Sequence, residues 1–204
     1  ATGTVEPEEL INVGAQVNGK IMAEQIGGQI FIDTWGLVNP CNPKRAADYG
    51  QAAASVSHDG DGIWGARFMC AAIATAFETS DINEIIAAGL AEIPAVCTYR
   101  AVCEAVIAFH RENPENWRDC YQMLVRDWGY DKYGGVCHMI PNAGVCVLSM
   151  LYGAGDFNRT VEIATMCSWD TDCNAGNVGT ILGVMTGIDG IGAHYRKPIN
   201  DGIV

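Results

Sequence analysis

Apolar residues recur at intervals of three and four along nearly the whole chain, and this spacing constrains the fold more than any other feature. Ile63, Ala66, Cys70, Ile73 and Phe77 form one such stripe, Val102, Ala105, Val106 and Phe109 a second, and Val178, Ile181, Leu182 and Met185 a third. With roughly 3.6 residues per turn, positions so spaced share one face of a helix. Segments 116–128, 142–152 and 156–167 pass the same test. Asp81 with Glu84 three residues later reads as a capping box, and Asn42-Pro43 and Asp156 read as helix starts. The nearest approach to strand-like alternation, Gln29 to Asp33, is too short to count. The connections 78–80, 113–115 and 153–155 are brief, as antiparallel or orthogonal helices require. The spacing therefore predicts an all-α, orthogonal multi-helix bundle, a single helical domain over 1–204, with the 173–187 helix at its centre.

Glycine interrupts these helical patterns at Gly27, Gly28, Gly65, Gly176, Gly179 and Gly183. Each costs about 1 kcal/mol against alanine in a helix interior. A chain that accepts this repeatedly needs close helix–helix approach, or backbone beside a ligand.

A net charge of −12 repels nucleic-acid phosphates and anionic membrane surfaces, so neither is expected as a partner. The nine cysteines are odd in number and irregular in spacing, and include no CxxC pair. Cys70, Cys103 and Cys146 sit within apolar helical runs, where cysteine acts as a small hydrophobe. Reduced thiols and a cytoplasmic location follow as expectations. No apolar run has membrane-spanning length and no signal peptide opens the chain. The start at Ala1 and the stop within an apolar stretch read as those of a fragment of a larger catalytic domain.

The segment with most chemistry is Cys167-Ser168-Trp169-Asp170-Thr171-Asp172-Cys173-Asn174-Ala175-Gly176-Asn177-Val178-Gly179. Two carboxylates one residue apart, just before a Gly-rich apolar helix, can aim their oxygens at one hard cation or bridge two. Alternatively Asp172 caps the helix and Asp170 is merely solvated. The residues alone leave both readings open.

This segment resembles the second metal motif of the ADP-ribosylglycohydrolases, matching it at Asp170, Asp172, Asn174, Gly179 and Gly183. It departs at Trp169, where the family has Gly, and at Cys173, where the family has a metal-binding Thr. Ser57-His58, followed by Gly62, Gly65 and Ala66, is similar to the family's Thr-His turn beside the substrate cleft. Asn18-Gly19-Lys20-Ile21-Met22 is similar to its Asn-Gly-x-x-Met-Arg, with Ala23 in place of the Arg. The family's first metal motif, a Thr-Asp-Asp cluster, has no counterpart in the chain.

The resemblance implies metal-dependent hydrolysis of an ADP-ribosyl, or related ribosyl, glycosidic bond, with an ADP-ribosylated substrate or small ribosyl compound as partner. It implies a binuclear Mg²⁺ or Mn²⁺ site, of which this chain supplies part. Asp170, Asp172 and the Cys173 position would be the metal ligands, Asp170 also the catalytic residue orienting ribose or water, and His58 and Asn174 the substrate-binding residues. A thiolate is a poor partner for such hard ions, so Cys173 is expected to pack inward and leave its place to water. Asp170 and Asp172 are then expected side by side at the mouth of a cleft that His58 also borders. The rival readings are a metal-poor ADP-ribose- or nucleoside-binding module and a structural, crystallin-like member of the same fold.

Other motifs are set aside. Gly60-Asp61-Gly62-Ile63-Trp64-Gly65 fits G-x-G-x-x-G, but no strand precedes it and Asp61 would face the pyrophosphate. His58-Asp59-Gly60-Asp61 lacks the remaining ligands of a calcium loop. His110, at a charged helix end, reads as solvated. Cys137-His138 is not a nucleophile and base, because adjacent residues rarely face each other.

Overall fold

The computed structural model describes residues 17–200 and 202. In chain order the helices are α1 (Val17–Ala23), α2 (Gly27–Ile30), α3 (Asp33–Leu37), α4 (Pro43–Ala54), α5 (Asp61–Thr75), α6 (Ile82–Ala91), α7 (Thr98–Glu112), α8 (Trp117–Trp128), α9 (Met139–Gly153), α10 (Phe157–Met166), α11 (Thr171–Gly190) and α12 (Ala193–Arg196). Short 3-10 turns follow α8 and α12. Among the described residues no strand forms, and the only β-type pairing is an isolated bridge between Gln25 and His138. The all-α bundle that the spacing predicts is what the chain forms. The Gln29–Asp33 segment becomes the end of α2 and the start of α3.

Local chemistry sets the helix starts. The Asn42 side chain accepts the Arg45 N–H at 3.2 Å, with Pro43 beside it to open α4, and Asp156 accepts the Arg159 N–H at 2.8 Å to open α10. Asp81 opens α6 by accepting from the Asn83 N–H at 2.8 Å. The reciprocal half of the expected capping box is replaced. The Asp81 N–H donates to the Thr79 hydroxyl oxygen at 3.1 Å, and that hydroxyl donates to Glu84 at 2.6 Å.

The centre of the bundle is α9, not the 173–187 helix. All 15 residues of α9 are buried, and α5, α7, α8, α10 and α11 pack around it. Its sequence, Met139 to Gly153, carries no charged side chain and is predominantly apolar around its circumference, with Asn142 and Ser149 hydrogen-bonded inside, which is the pattern of a fully enclosed helix. In contrast α11 buries only Asn174, Asn177, Val178, Ile181 and Leu182, so it lies along a flank. Its regular part ends where Gly187 breaks the backbone with φ 66°.

The glycines divide likewise. A Cβ on Gly28 would come 2.5 Å from the Gly62 carbonyl oxygen, and one on Gly62 would overlap the Ala23 carbonyl, so α1, α2 and α5 meet backbone to backbone there. At Gly176, Gly179 and Gly183 the nearest neighbour would lie at an ordinary 3.4–3.9 Å, and close approach explains none of the three. The stripe expected on α5 also changes. Phe68 to Ala74 are buried without interruption, Ile63 is half-buried, and Phe77, beyond the helix end, is 45% exposed. Helices on several sides leave α5 little outward face.

All nine cysteines are free, and Cys70, Cys103 and Cys146 are fully buried. Thiol titration of the denatured chain is expected to give the same count with and without reductant. A clear deficit before reduction would show disulfides that this fold does not contain. No helix among the described residues is long and apolar enough to cross a membrane.

Candidate metal centre

The turn that delivers Asp170 begins where α10 ends at the buried Cys167. Ser168 then adopts the left-handed region with φ 62°, reversing the chain into Trp169. Trp169 is the residue at which the segment departs from the Gly of the motif it resembles. It stacks on Tyr130, with ring centres 5.2 Å apart, and leans on Tyr121 at 5.3 Å. These contacts fix the approach of the chain to α11.

Asp170 holds the N-cap position of α11, yet its side chain makes no capping hydrogen bond. Its Oδ2 instead accepts from the Cys137 thiol at 2.7 Å, and its backbone N–H donates to Asn142 Oδ1 at 3.4 Å. Asp172 lies exposed in the first turn, and Cys173 is half-buried beside it. Ligand-capable atoms of Asp170, Asp172 and Cys173 all lie within 4.8 Å of one another. The alternative in which Asp172 caps the helix and Asp170 is only solvated does not describe this geometry. Asp172 stands inside the helix, and Asp170 has a thiol as partner.

Cys137 is held from outside its own segment. Gln25 Oε1 accepts the N–H of Val136 at 3.1 Å and of Cys137 at 2.8 Å, while Gln25 Nε2 donates to the Ile21 carbonyl at 2.7 Å. The Cys137 carbonyl accepts from Ile26 N–H, and Met139 N–H donates to the Glu24 carbonyl, both at 2.9 Å. The α1–α2 connection is thereby strapped to the start of α9. Cys137 and His138 then diverge. Nδ1 of His138 caps α9 by accepting from Ile140 N–H at 3.3 Å, and its Nε2 lies 3.6 Å from a Glu24 carboxylate oxygen.

Burial first, and then the Asp170 carboxylate, push the Cys137 thiol up to about 11 and the Cys173 thiol up to about 12. At neutral pH both are protonated and act as donors to Asp170. Burial lowers the pKa of His138, with Glu24 opposing, and burial lowers that of His58.

Beneath the cluster lies a closed amide network. Asn142 Oδ1 accepts from Asn174 Nδ2 at 2.8 Å, and Asn142 Nδ2 donates to the Tyr130 hydroxyl at 2.7 Å and to the His138 carbonyl at 2.9 Å. Asn174 is fully buried, and its Oδ1 lies 3.6 Å from the Cys146 thiol. The sequence reading sets Asn174 against substrate; the structure sets its amide in the core, donating to Asn142 and accepting from the Cys146 thiol. His58 is half-buried, pairs Nδ1 with the Ser57 hydroxyl at 2.8 Å, and lies against Gly27 of α2. On its other side α2 meets α11 through Gln29, which donates to Asn177 Oδ1 at 3.0 Å. A short helix thus stands between His58 and the metal-motif helix, and His58 is not part of the ligand cluster. The side chains of Asn18 and Lys20 lie outside the described residues.

Two motifs that were set aside find structural partners. Asp61 Oδ1 accepts the Tyr99 N–H at 3.0 Å, supporting the start of α7. His110 is half-buried, edge-on to Tyr152 at 4.7 Å, and is not solvated as its charged neighbourhood suggests. The sequence reading missed Cys137, Tyr130 and Asn142 as neighbours of Asp170. Only the tertiary fold brings residues about 30 positions apart together, and no spacing rule points to them.

The family model for ADP-ribosylglycohydrolases matches residues 6–203. No curated protein and no solved structure matches.

Proposed function

The chain belongs to the ADP-ribosylglycohydrolase family, and from that premise we propose that it hydrolyses an ADP-ribosyl glycosidic bond with a divalent cation held at Asp170 and Asp172. One observation carries the metal reading. Asp170 occupies a helix N-cap without using its carboxylate to cap, and that carboxylate shares a 4.8 Å neighbourhood with Asp172 and Cys173. Carboxylates so placed, one residue apart at a helix start, suit cation binding better than local capping.

A bound cation would lower the pKa of a water at the glycosidic carbon and offset the diphosphate charge, which an acidic chain of net −12 cannot do by itself. Asp170, tethered through Cys137 and Asn142, would hold that water or the ribose hydroxyls in register. Asn174, from the core, would position Asn142 and so the Asp170 backbone. The exposed N–H groups of the first turn of α11 add affinity for anionic groups. His58 remains a proposed substrate-side residue, one short helix away. Free thiols throughout suit a reducing compartment, so the cytoplasm is the proposed location.

The Mg²⁺ or Mn²⁺ pair that the resemblance implies fits the two carboxylates. It does not fit the two thiols that converge on Asp170.

The test pairs calorimetry of divalent-ion binding with release of free ADP-ribose from an ADP-ribosylated protein. Chelation is expected to abolish release, and Asp170→Ala or Asp172→Ala to lower it at least about 100-fold, as loss of a group that acts on developing charge does. If Asp172→Ala binds ions as tightly as wild type, the carboxylates are not ligands and the binding-module or structural reading takes over.

A further inference from the structure

The donor set around Asp170 disagrees with the hard-ion pair of the family, and the disagreement has a direction. We propose that Cys137, Cys173 and Asp170 form a site for a single thiophilic divalent cation of the Zn²⁺ class, with Asp172 or a water in the fourth place. This rests on the reading of Asp170 as a metal ligand and changes which ion it serves.

The donors come from two separate segments. Cys173 is in the first turn of α11, with its sulfur inside the 4.8 Å neighbourhood of Asp170 and Asp172. Cys137 lies in the connection before α9, and its Sγ is 2.7 Å from Asp170 Oδ2. Asp170 is therefore flanked by a thiol from each segment. Both cysteines are half-buried at the edge of the core, where their sulfurs reach Asp170, whereas Cys70, Cys103, Cys120, Cys146 and Cys167 are fully enclosed. The Cys137 backbone is fixed by Gln25, so its thiol is aimed by hydrogen bonds from another part of the chain.

Softness then decides the ion. Thiolates favour Zn²⁺ and comparable borderline or soft ions over Mg²⁺ and Mn²⁺, which prefer oxygen throughout. Tetrahedral zinc holds sulfur at about 2.3 Å and carboxylate oxygen at about 2.0–2.2 Å, which places ligand atoms roughly 3.3–3.8 Å apart. Asp170, Asp172 and Cys173 already share a 4.8 Å neighbourhood, and Cys137 adjoins it through Asp170, so side-chain rotation is what brings the two sulfurs and Asp170 around one ion. Three protein donors with an open or water-filled fourth place is the arrangement of catalytic zinc, so the ion could still serve hydrolysis. Each thiol gives its proton to solvent as its metal–sulfur bond forms, and the ion's charge offsets the two thiolates.

The experiment uses the purified, fully reduced chain and titrates it with Co²⁺ as a spectroscopic stand-in for zinc. A thiolate-to-cobalt charge-transfer band is expected, bleached by stoichiometric Zn²⁺ and unaffected by excess Mg²⁺. The band should weaken in Cys137→Ser and in Cys173→Ser and vanish in the double variant, with zinc affinity down by at least about 100-fold. Circular dichroism of the double variant checks that it folds. Cys173→Thr is expected to shift preference toward Mn²⁺. Absence of the band in wild type, or its survival in the double variant, overturns the proposal. Mn²⁺ binding that depends on Asp172 but ignores both cysteines overturns it while leaving the proposed function standing. Failure of every divalent ion to bind in an Asp170-dependent way overturns both.

Discussion

Replacing Asn142 by alanine is expected to lower folding stability by about 3 kcal/mol, because a buried polar group stripped of its partner costs about 1–3 kcal/mol and several lose theirs at once. Asn142 is fully buried, and its oxygen receives both the Asn174 amide and the Asp170 N–H. Its amide in turn serves the Tyr130 hydroxyl and the His138 carbonyl. Alanine would leave the Asn174 donor, the Asp170 N–H, the Tyr130 hydroxyl and the His138 carbonyl without this partner in the core. In a domain of this size the melting temperature should fall by about 6–12 °C. Because the same amide anchors the Asp170 backbone, divalent-ion affinity should fall with it, although Asn142 touches no ion. A double-mutant cycle with Asn174→Ala isolates the pair and should show coupling of about 1 kcal/mol. A shift below about 1 kcal/mol for Asn142→Ala would mean that the network re-forms through water and that Asp170 is positioned by other means.

The bundle was legible because apolar spacing is a local property. Segments 116–128 and 156–167 became α8 and α10 almost to the residue, and the Asn42 and Asp156 caps hold their helices as read. Centrality was also written in the chain, in the uncharged run Met139 to Gly153. The Gly-rich metal-motif helix drew attention away from it, and its glycines turn out to face ordinary contacts. At the site, the Asp170–Asp172 spacing pointed to neighbouring carboxylates, and their oxygens lie within 4.8 Å of each other and of the Cys173 sulfur. Cys137 and Asn142 were invisible, because their link to Asp170 runs through the strap from Gln25 and the packing of α9 against α11. Asn174 was misjudged because a motif match gives a residue's place on a helix but not which way that face points. The Cys173 thiol was expected to turn inward and leave its place to water; it sits half-buried within the cluster.

Stability is expected to fall as pH rises through the range from about 3.8 to about 6, on account of Asp33 alone. Burial raises the Asp33 carboxyl from 3.8 to about 6, against the lowering effect of hydrogen bonds from Thr180 and Asn177. Thr180 donates to Oδ2 at 2.7 Å and Asn177 to Oδ1 at 2.9 Å, so α11 is pinned to the start of α3 through this one side chain. The folded-state pKa lies above the unfolded one, and between the two values the native chain binds more protons. The contribution is therefore most favourable below about 3.8 and is lost as pH climbs past about 6, the opposite of a salt-bridged carboxylate. A displacement of about two pKa units corresponds to about 2–3 kcal/mol once partial solvent contact is allowed for. Asp33→Asn mimics the protonated acid and can keep both contacts. Its oxygen accepts from Asn177, and its amide donates to Thr180, whose hydroxyl turns to the Gly176 carbonyl already 3.0 Å away. At pH 7.5 the variant should melt about 5–10 °C above wild type, and the two should converge near pH 4. Parallel melting curves across that range would show that Asp33 titrates as an ordinary solvated carboxylate, and that its hydrogen bonds to α11 offset its burial.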